Sequence, residues 1–357
     1  MDTSFQVIGL MSGTSLDGLD LAHCCFTYER KNWIYKILHT NTLKYSNTLI
    51  ESLREAETAS GTELIRLHHS FGRHLGQQVL GFVQEHGIRA DFVASHGHTI
   101  FHQPDKHISF QLGDGAYIAA HAQLPVVSDF RTLDIALGGQ GAPLVPIGDE
   151  LLFGEYDYCV NLGGIANVSY NQNGQRLAFD ICACNMLLNT LANSLGHAYD
   201  TNGDVARSGS LAPALLQQLN APAYFAAPAP KSLGKEWVLA HSLHTLQASE
   251  ASIPDQLHTV CHHIAEQLRL ALPPLHGGTH RLLLTGGGAF NGYLVQVLQE
   301  YLGEQCQVVV PEPVVVAFKE ALIFAFLGVL RWRGEHNCLR SVTGASHDNI
   351  GGSIYLC

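Results

Sequence analysis

Gly9-Leu10-Met11-Ser12-Gly13-Thr14-Ser15-Leu16-Asp17-Gly18-Leu19-Asp20 is the stretch whose reading decides the fold. It follows the short apolar run Phe5-Gln6-Val7-Ile8, so it reads as a strand entering a tight turn. Glycines let backbone N–H groups approach an anion closely and adopt positive φ. Hydroxyls donate to phosphate oxygens. A carboxylate beside them suits a hydrated Mg²⁺, which takes one or two carboxylates plus substrate phosphates. The competing reading is a polar hairpin turn with no ligand.

The pattern recurs. Tyr158-Cys159-Val160-Asn161-Leu162-Gly163-Gly164-Ile165-Ala166-Asn167-Val168 is again strand, glycine turn, strand, and Leu177-Ala178-Phe179-Asp180 follows as a short strand ending in a carboxylate. Arg281-Leu282-Leu283-Leu284-Thr285-Gly286-Gly287-Gly288 is a strand running through a third glycine turn toward a helix. Three such turns, two of them hairpin-like and about half a chain apart, suggest a duplicated α/β unit holding a nucleotide. Neither G-x-x-x-x-G-K-[ST] nor G-x-G-x-x-G occurs.

With 357 residues, two domains are the natural expectation, divided near residue 150. Leu64, Leu67, Phe71, Leu75, Val79 and Phe82 recur at helical spacing, and residues 253 to 272 and 315 to 332 read as further helices. Alternating strands and helices predict an α/β fold with largely parallel pairing. A net charge of −11 argues against nucleic acid or an anionic membrane as partner. No unbroken apolar run reaches the roughly 18 residues of a membrane span. The N-terminus lacks a basic n-region followed by an apolar h-region, so a cytoplasmic protein is expected. Nine cysteines without framework spacing read as reduced thiols.

The segments Gly9 to Asp20, Ser95-His96-Gly97-His98-Thr99, Ser128-Asp129-Phe130-Arg131, Gly138-Gly139-Gln140-Gly141-Ala142-Pro143, Phe179-Asp180, Pro230-Lys231-Ser232 and Lys319-Glu320-Ala321, in this order, resemble the anhydro-N-acetylmuramic acid kinase family of the actin-like ATPase and sugar kinase superfamily. The resemblance runs nearly end to end. It implies two similar actin-like (ribonuclease H-like) α/β domains, 1–150 and 151–357, with the nucleotide in the cleft between them and a C-terminal segment able to pack back on the first. It implies ATP and Mg²⁺ as cofactors, an amino sugar as substrate and a role in peptidoglycan recycling; a homodimer is the general expectation for such an enzyme. Two departures stand out. The family's F-D-T-G-P-G-N is here Phe179-Asp180-Ile181-Cys182-Ala183-Cys184-Asn185, and its S-H-G-Q-T is Ser95-His96-Gly97-His98-Thr99.

By the same resemblance, Gly13, Thr14, Ser15, Leu16, Asp17, Gly18, Leu19 and Asp20 together with Gly163 and Gly164 surround the ATP phosphates, and Gly286, Gly287 and Gly288 lie near the adenosine. Asp17 holds Mg²⁺ through water, unless it is only a turn-capping residue. The family's substrate is a sugar bridged from C1 to O6; water opens the bridge while O6 takes the γ-phosphoryl group. Asp180 matches the catalytic aspartate that serves as base, although a strand-end Asp is equally a cap for the next helix. Arg131 suits the lactyl carboxylate as a bidentate donor, or else pairs with Asp129 or Asp134. His96, Asp129 and Glu320 complete the sugar side, Glu320 opening a helix where negative charge also has a plain electrostatic reason. A rival reading takes His96, His98 and His102, joined by Cys182 and Cys184, as the metal site of a hydrolase. A kinase for another sugar or carboxylate, or an inactive regulator of the same fold, would carry the same glycine turns.

Overall fold

The computed structural model describes residues 3–13, 16, 18–273 and 278–357. The chain divides into two compact units. Unit 1 comprises residues 1–152 and 318–357, and unit 2 comprises residues 153–317.

Unit 1 is built on a seven-stranded sheet. Its strands are β1 (Thr3–Ser12), β2 (Leu19–Glu29), β3 (Asn32–Leu43), β4 (Phe92–Gln103), β5 (Ile108–Leu112), β6 (Val126–Ser128) and β12 (Ser353–Tyr355). The order is β12-β6-β4-β1-β2-β3, with β5 paired to β4. β1, β2 and β3 form an antiparallel meander, while β1–β4 and β4–β6 are parallel. Unit 2 repeats this plan with β7 (Tyr158–Leu162), β8 (Ile165–Gln172), β9 (Gln175–Ala183), β10 (His280–Thr285) and β11 (Cys306–Val309) in the order β11-β10-β7-β8-β9. Again the first three strands are an antiparallel meander, and the last two add in parallel. The expected duplication is therefore present, but pairing is mixed rather than largely parallel. Short hairpin loops force each meander antiparallel; only strands reached through helices add in parallel.

The helices form where the sequence periodicity places them. Helix α1 (Gly61–His86) starts at a capping box made by Ser60 and Glu63 and stops at Gly87 in the left-handed conformation. It buries Phe71, Leu75, Val79 and Phe82 against the unit 1 sheet. In unit 2, α2 (Asn185–Asn193), α3 (Ile253–Ala271) and α4 (Gly292–Leu302) cover the sheet. α3 buries Leu257, Val260, Cys261, Ile264 and Leu268, spaced by three and four.

Helix α5 (Pro313–Arg333) corrects one expectation. By length and composition it is apolar enough to cross a bilayer, with a mean hydropathy of 2.1. An unbroken-run criterion misses it because Lys319 and Glu320 interrupt it. Most of it is buried, and within unit 1 Phe324 packs on His96 and Phe130, Phe326 on Phe26 and Trp33, and Trp332 on Phe92. It is the core helix on the face of the sheet opposite α1. Lys319 lies inside because Asp149 meets its Nζ at 2.7 Å, both side chains being nearly inaccessible.

That pair gives a stability prediction. Lys319→Met takes the ammonium away from the buried Asp149 carboxylate and is expected to cost about 3–5 kcal/mol in urea unfolding. A loss below about 1 kcal/mol would show the pair to be well solvated.

Candidate functional site

Parallel strands present their carboxyl ends to ligands. In unit 1 the carboxyl ends of the parallel portions of β1, β4 and β6 carry Ser12 and Gly13, His96 to His98, and Asp129 to Arg131. A bulge decides what β4 displays. Leu10 pairs with Ser95 but Ser12 with His98, so β4 spends one extra residue at Gly97. Gly97 has φ +73°, and a Cβ there would strike the Leu112 carbonyl. The bulge turns the two histidines to opposite faces. His98 faces α1: its Nδ1 lies 2.9 Å from Ser12 Oγ, which accepts from Tyr45 Oη at 2.7 Å, and its ring meets Phe71 edge-on. His96 faces α5, its ring tilted against Phe324 at 4.5 Å between centres. The rival His96–His98–His102 metal site is thereby broken. Among the described residues no group of three or more His, Cys, Asp or Glu side chains is placed to hold a metal ion.

His96 has a definite hydrogen-bonding state. Its Nε2 faces Arg131 Nη2 at 2.8 Å and Nε at 3.3 Å, and guanidinium can only donate. The remaining proton therefore sits on Nδ1, donating to the Gly97 carbonyl at 2.9 Å. Burial and the Arg131 charge hold the imidazole well below its ordinary pKa, so it is neutral. Arg131 Nη1 also donates to the Gly141 carbonyl at 2.6 Å. Burial pulls the guanidinium down to about 10, against the opposing charges of Glu320 and Asp134, and it stays charged at neutral pH. Among the described residues no ion pair joins Arg131 to Asp129 or Asp134. Asp129 is exposed, with φ +60°, and accepts from the Thr132 hydroxyl at 2.5 Å.

Asp134, fully buried, accepts instead from Gly141 N at 2.8 Å, Thr343 Oγ1 at 2.8 Å, Asn349 Nδ2 at 2.8 Å and Cys338 Sγ at 3.0 Å. It fixes the Gly138 to Pro143 loop. Nothing in the sequence singles it out as a hub, because three of its four donors lie some 200 residues away.

Glu320 does not open its helix. It lies seven residues past Pro313, about two turns in, beyond the reach of the helix-end dipole. Its exposed side chain is felt electrostatically by Arg131 and in turn feels Asp20. Unit 1 thus brings His96, Arg131, Glu320 and Asp20 together, with Asp129 at the margin. In the β1–β2 turn, Leu16 N donates to Gly13 O at 3.2 Å and Leu16 has φ +61°. Gly18 follows in an extended positive-φ conformation. Leu19 is buried in the core, so only its backbone is available to a ligand. Asp20 accepts from Thr42 Oγ1 at 2.6 Å. Thr14, Ser15 and Asp17 lie outside the described residues.

Unit 2 gathers its glycines at the carboxyl ends of β7 and β10. The Gly163 and Gly164 carbonyls accept from the backbone N–H groups of Asn185, Cys184 and Met186. Gly286 has φ +80°, and a Cβ there would come within 2.6 Å of Asn161 Oδ1 and 2.8 Å of the Leu162 carbonyl. Asn185 Nδ2 donates to that carbonyl at 2.9 Å and lies against Gly287 and Gly288. All five glycines therefore border one edge of one sheet.

Asp180 stands on β9 where a bulge at Ile181 interrupts pairing with β8. Its Oδ2 accepts from Leu233 N at 2.8 Å; Oδ1 has no partner among the described residues. Burial raises its pKa, and the Leu233 N–H opposes the rise. It is not a helix cap: α2 begins at Asn185 with Cys184 before it. Cys182 and Cys184 are fully buried, their thiols pushed up by burial, which suits packing and not metal binding. Tyr224, hydrogen-bonded to Asp180, carries no sequence signal, and Leu233, though it lies in the family-like segment from Pro230, gives no local sign that it reaches a residue some 50 positions earlier.

Comparison with known proteins gives one consistent result. The profile described as anhydro-N-acetylmuramic acid kinase matches residues 5–357. The anhydro-N-acetylmuramic acid kinase of Gloeobacter violaceus is 36% identical, over 97% of this chain and 97% of its own. That of Vibrio cholerae is 35% identical, over 98% of this chain and 97% of its own. That of Shewanella pealeana is 34% identical, over 98% of both.

The histidine state yields a pH prediction. His96 stays neutral in the folded protein but titrates near 6.5 once unfolded. His23 and His263 behave alike, burial lowering them to about 4 and about 3. The unfolded chain takes up protons that the folded one refuses, so stability is expected to fall as pH drops below about 6.5. Urea midpoints measured from pH 7.5 to 5.0 check this; a flat profile overturns it.

Proposed function

This chain belongs to the anhydro-N-acetylmuramic acid kinase family, and we propose that it opens the 1,6-anhydro bridge of 1,6-anhydro-N-acetylmuramic acid with water while phosphorylating O6, giving N-acetylmuramic acid 6-phosphate and ADP. Family membership makes it a kinase, a phosphotransferase with an alcohol acceptor. The hydrolytic step rests above all on Asp180: a half-buried carboxylate with a raised pKa, one oxygen held by Leu233 N–H and the other open. Such a carboxylate is oriented to take one proton from water.

Asp180 Oδ1 removes a proton from water, and the water oxygen bonds to C1. The C1–O6 bond breaks and its electron pair stays on O6. O6 bonds to the γ-phosphorus, and the bond to ADP breaks. Attack opposite the departing oxygen resembles an inverting glycosidase. Arg131, charged and locked onto neutral His96, supplies two N–H vectors for the lactyl carboxylate. Glu320 and Asp129 accept from sugar hydroxyls.

Glycine turns at the strand ends in both units suit ATP phosphates. The absence of an all-protein cage among the described residues suits Mg²⁺, which is held by a carboxylate or two and by the nucleotide itself. Asp17 is the residue we assign to it, through water. When bound, the ion neutralises charge developing on the phosphates. The product serves the recycling of cell-wall sugars.

The assay follows product from ATP and 1,6-anhydro-N-acetylmuramic acid beside ordinary N-acetylmuramic acid and N-acetylglucosamine. Folded, ATP-binding protein that turns over only some other sugar overturns the substrate assignment. Asp180→Asn is expected to lose about 10²–10⁴ in rate, at 1.36 kcal/mol per decade, while keeping ATP binding. The product is expected as the α anomer. Near-normal turnover by the variant, or retained configuration, removes Asp180 from the mechanism. Asp17→Asn is expected to lower turnover and raise the Mg²⁺ concentration required, with partial rescue by higher Mg²⁺ or by Mn²⁺.

A further inference from the structure

Three hydrogen bonds hold Asp180, and all three come from one loop. Tyr224 Oη donates to the Asp180 carbonyl at 2.6 Å. Asp180 N donates to the Lys231 carbonyl at 3.1 Å. Leu233 N donates to Asp180 Oδ2 at 2.8 Å. At its first end Tyr224 and Phe225 also pack on Trp237, and Phe225 on His263, but the middle of the loop has no such support. Residues 226 to 230 are exposed throughout, and Leu233 is its first fully buried side chain. Its outer side opens on a groove of about 600 Å³ lined by Phe225, Ala227, Pro228, Lys231, Glu266 and Leu270. Hydrophobic packing therefore anchors the Phe225 end but does not set the path of residues 226–230.

Lys231 closes it instead. Its Nζ donates back to the carbonyls of Tyr224 at 3.1 Å and Phe225 at 3.2 Å. The same ammonium lies 4.7 Å from the centre of the Tyr224 ring, and no carboxylate among the described residues forms an ion pair with it. A lysine spent on two carbonyls and a ring is a cross-link between the two ends of a loop. Breaking it frees the Tyr224 end from the Leu233 end.

We propose that Tyr224 and Lys231 are positioning residues for Asp180, closing residues 224–233 into a clamp that aims the open carboxylate oxygen at the attacking water. The clamp rests on the reading of Asp180 as the base. It explains why Asp180 can be oriented although the family's glycine-rich segment after it is replaced by Ile181 to Cys184. The orientation comes from the loop in front, and misplacing a catalytic group by about 1 Å can cost on the order of 10²-fold in rate.

The test compares Tyr224→Phe, Lys231→Met and Lys231→Arg in the full chain, with near-UV circular dichroism to show that each is folded. Tyr224→Phe removes a single hydroxyl and keeps the ring, so it remains informative if Lys231→Met does not fold. The expected result is a kcat about 10-fold lower or more for Tyr224→Phe and Lys231→Met, an unchanged KM for ATP, and partial recovery in Lys231→Arg. The acid limb of the kcat profile carries the distinguishing signal. The Leu233 N–H favours the charged carboxylate, so loosening it raises the Asp180 pKa and moves the limb to higher pH. The other titratable groups around Asp180 are Tyr224, Lys231 and Cys182, none of which titrates on that limb. A merely structural loss lowers the amplitude and leaves the limb in place. Folded variants with normal kcat and an unmoved limb overturn the clamp while Asp180→Asn is inactive. Should Asp180→Asn itself be active, the base assignment fails first.

Discussion

One buried carboxylate orders the strand ends of unit 1 around Arg131 and His96. Asp134 has no cation hydrogen-bonded to it among the described residues, yet four donors converge on its two oxygens. A charge in that setting is tolerable only when every lone pair is used. The requirement propagates outward. Asp134 holds Gly141 N, Gly141 O holds Arg131, Arg131 holds His96 Nε2, and that bond fixes which imidazole nitrogen keeps its proton. Arg131 is thus aimed by a residue that does not itself contact it. Here a charged group gives geometry more than stability.

How much of this was legible in the sequence depends on the range of the interaction. Local signals read well. The periodic apolar positions of α1 and α3 are buried, and each glycine turn sits at a strand end. The duplicated plan followed from the similarity of the turns. What failed was non-local. β3, Asn32–Leu43, is half polar on both faces and gives no strand signal, yet it pairs along nearly the whole of β2. His96 and His98 look like neighbours on one face at a spacing of two, and only the Gly97 bulge separates them. Lys319–Asp149 and the Asp134 network join residues about 170 to 215 apart, where local pattern has no reach.

The departure at Ile181 to Cys184 shows substitution absorbed by packing. Cys182 and Cys184 are wholly buried beside Leu187 and Leu188 in the unit 2 core. A thiol there behaves as a small apolar side chain. The backbone still delivers the N–H groups of Cys184, Asn185 and Met186 to the Gly163–Gly164 turn, so the glycine edge keeps its shape with less freedom in the segment beside it.

The reach of Asp134 also sets a timetable. Its donors Cys338, Thr343 and Asn349 are made about 200 residues after it, and β12, which borders β6, comes later still. At about 5–20 residues per second, synthesis separates the carboxylate from its partners by roughly 10 to 40 s. During that interval the nascent unit 1 carries a carboxylate with only the Gly141 N–H of its four donors in hand. Unit 2, finished by residue 317, has no such wait. The Arg131 end of unit 1 is therefore the last part of this chain to be set on the ribosome, after unit 2 is already made.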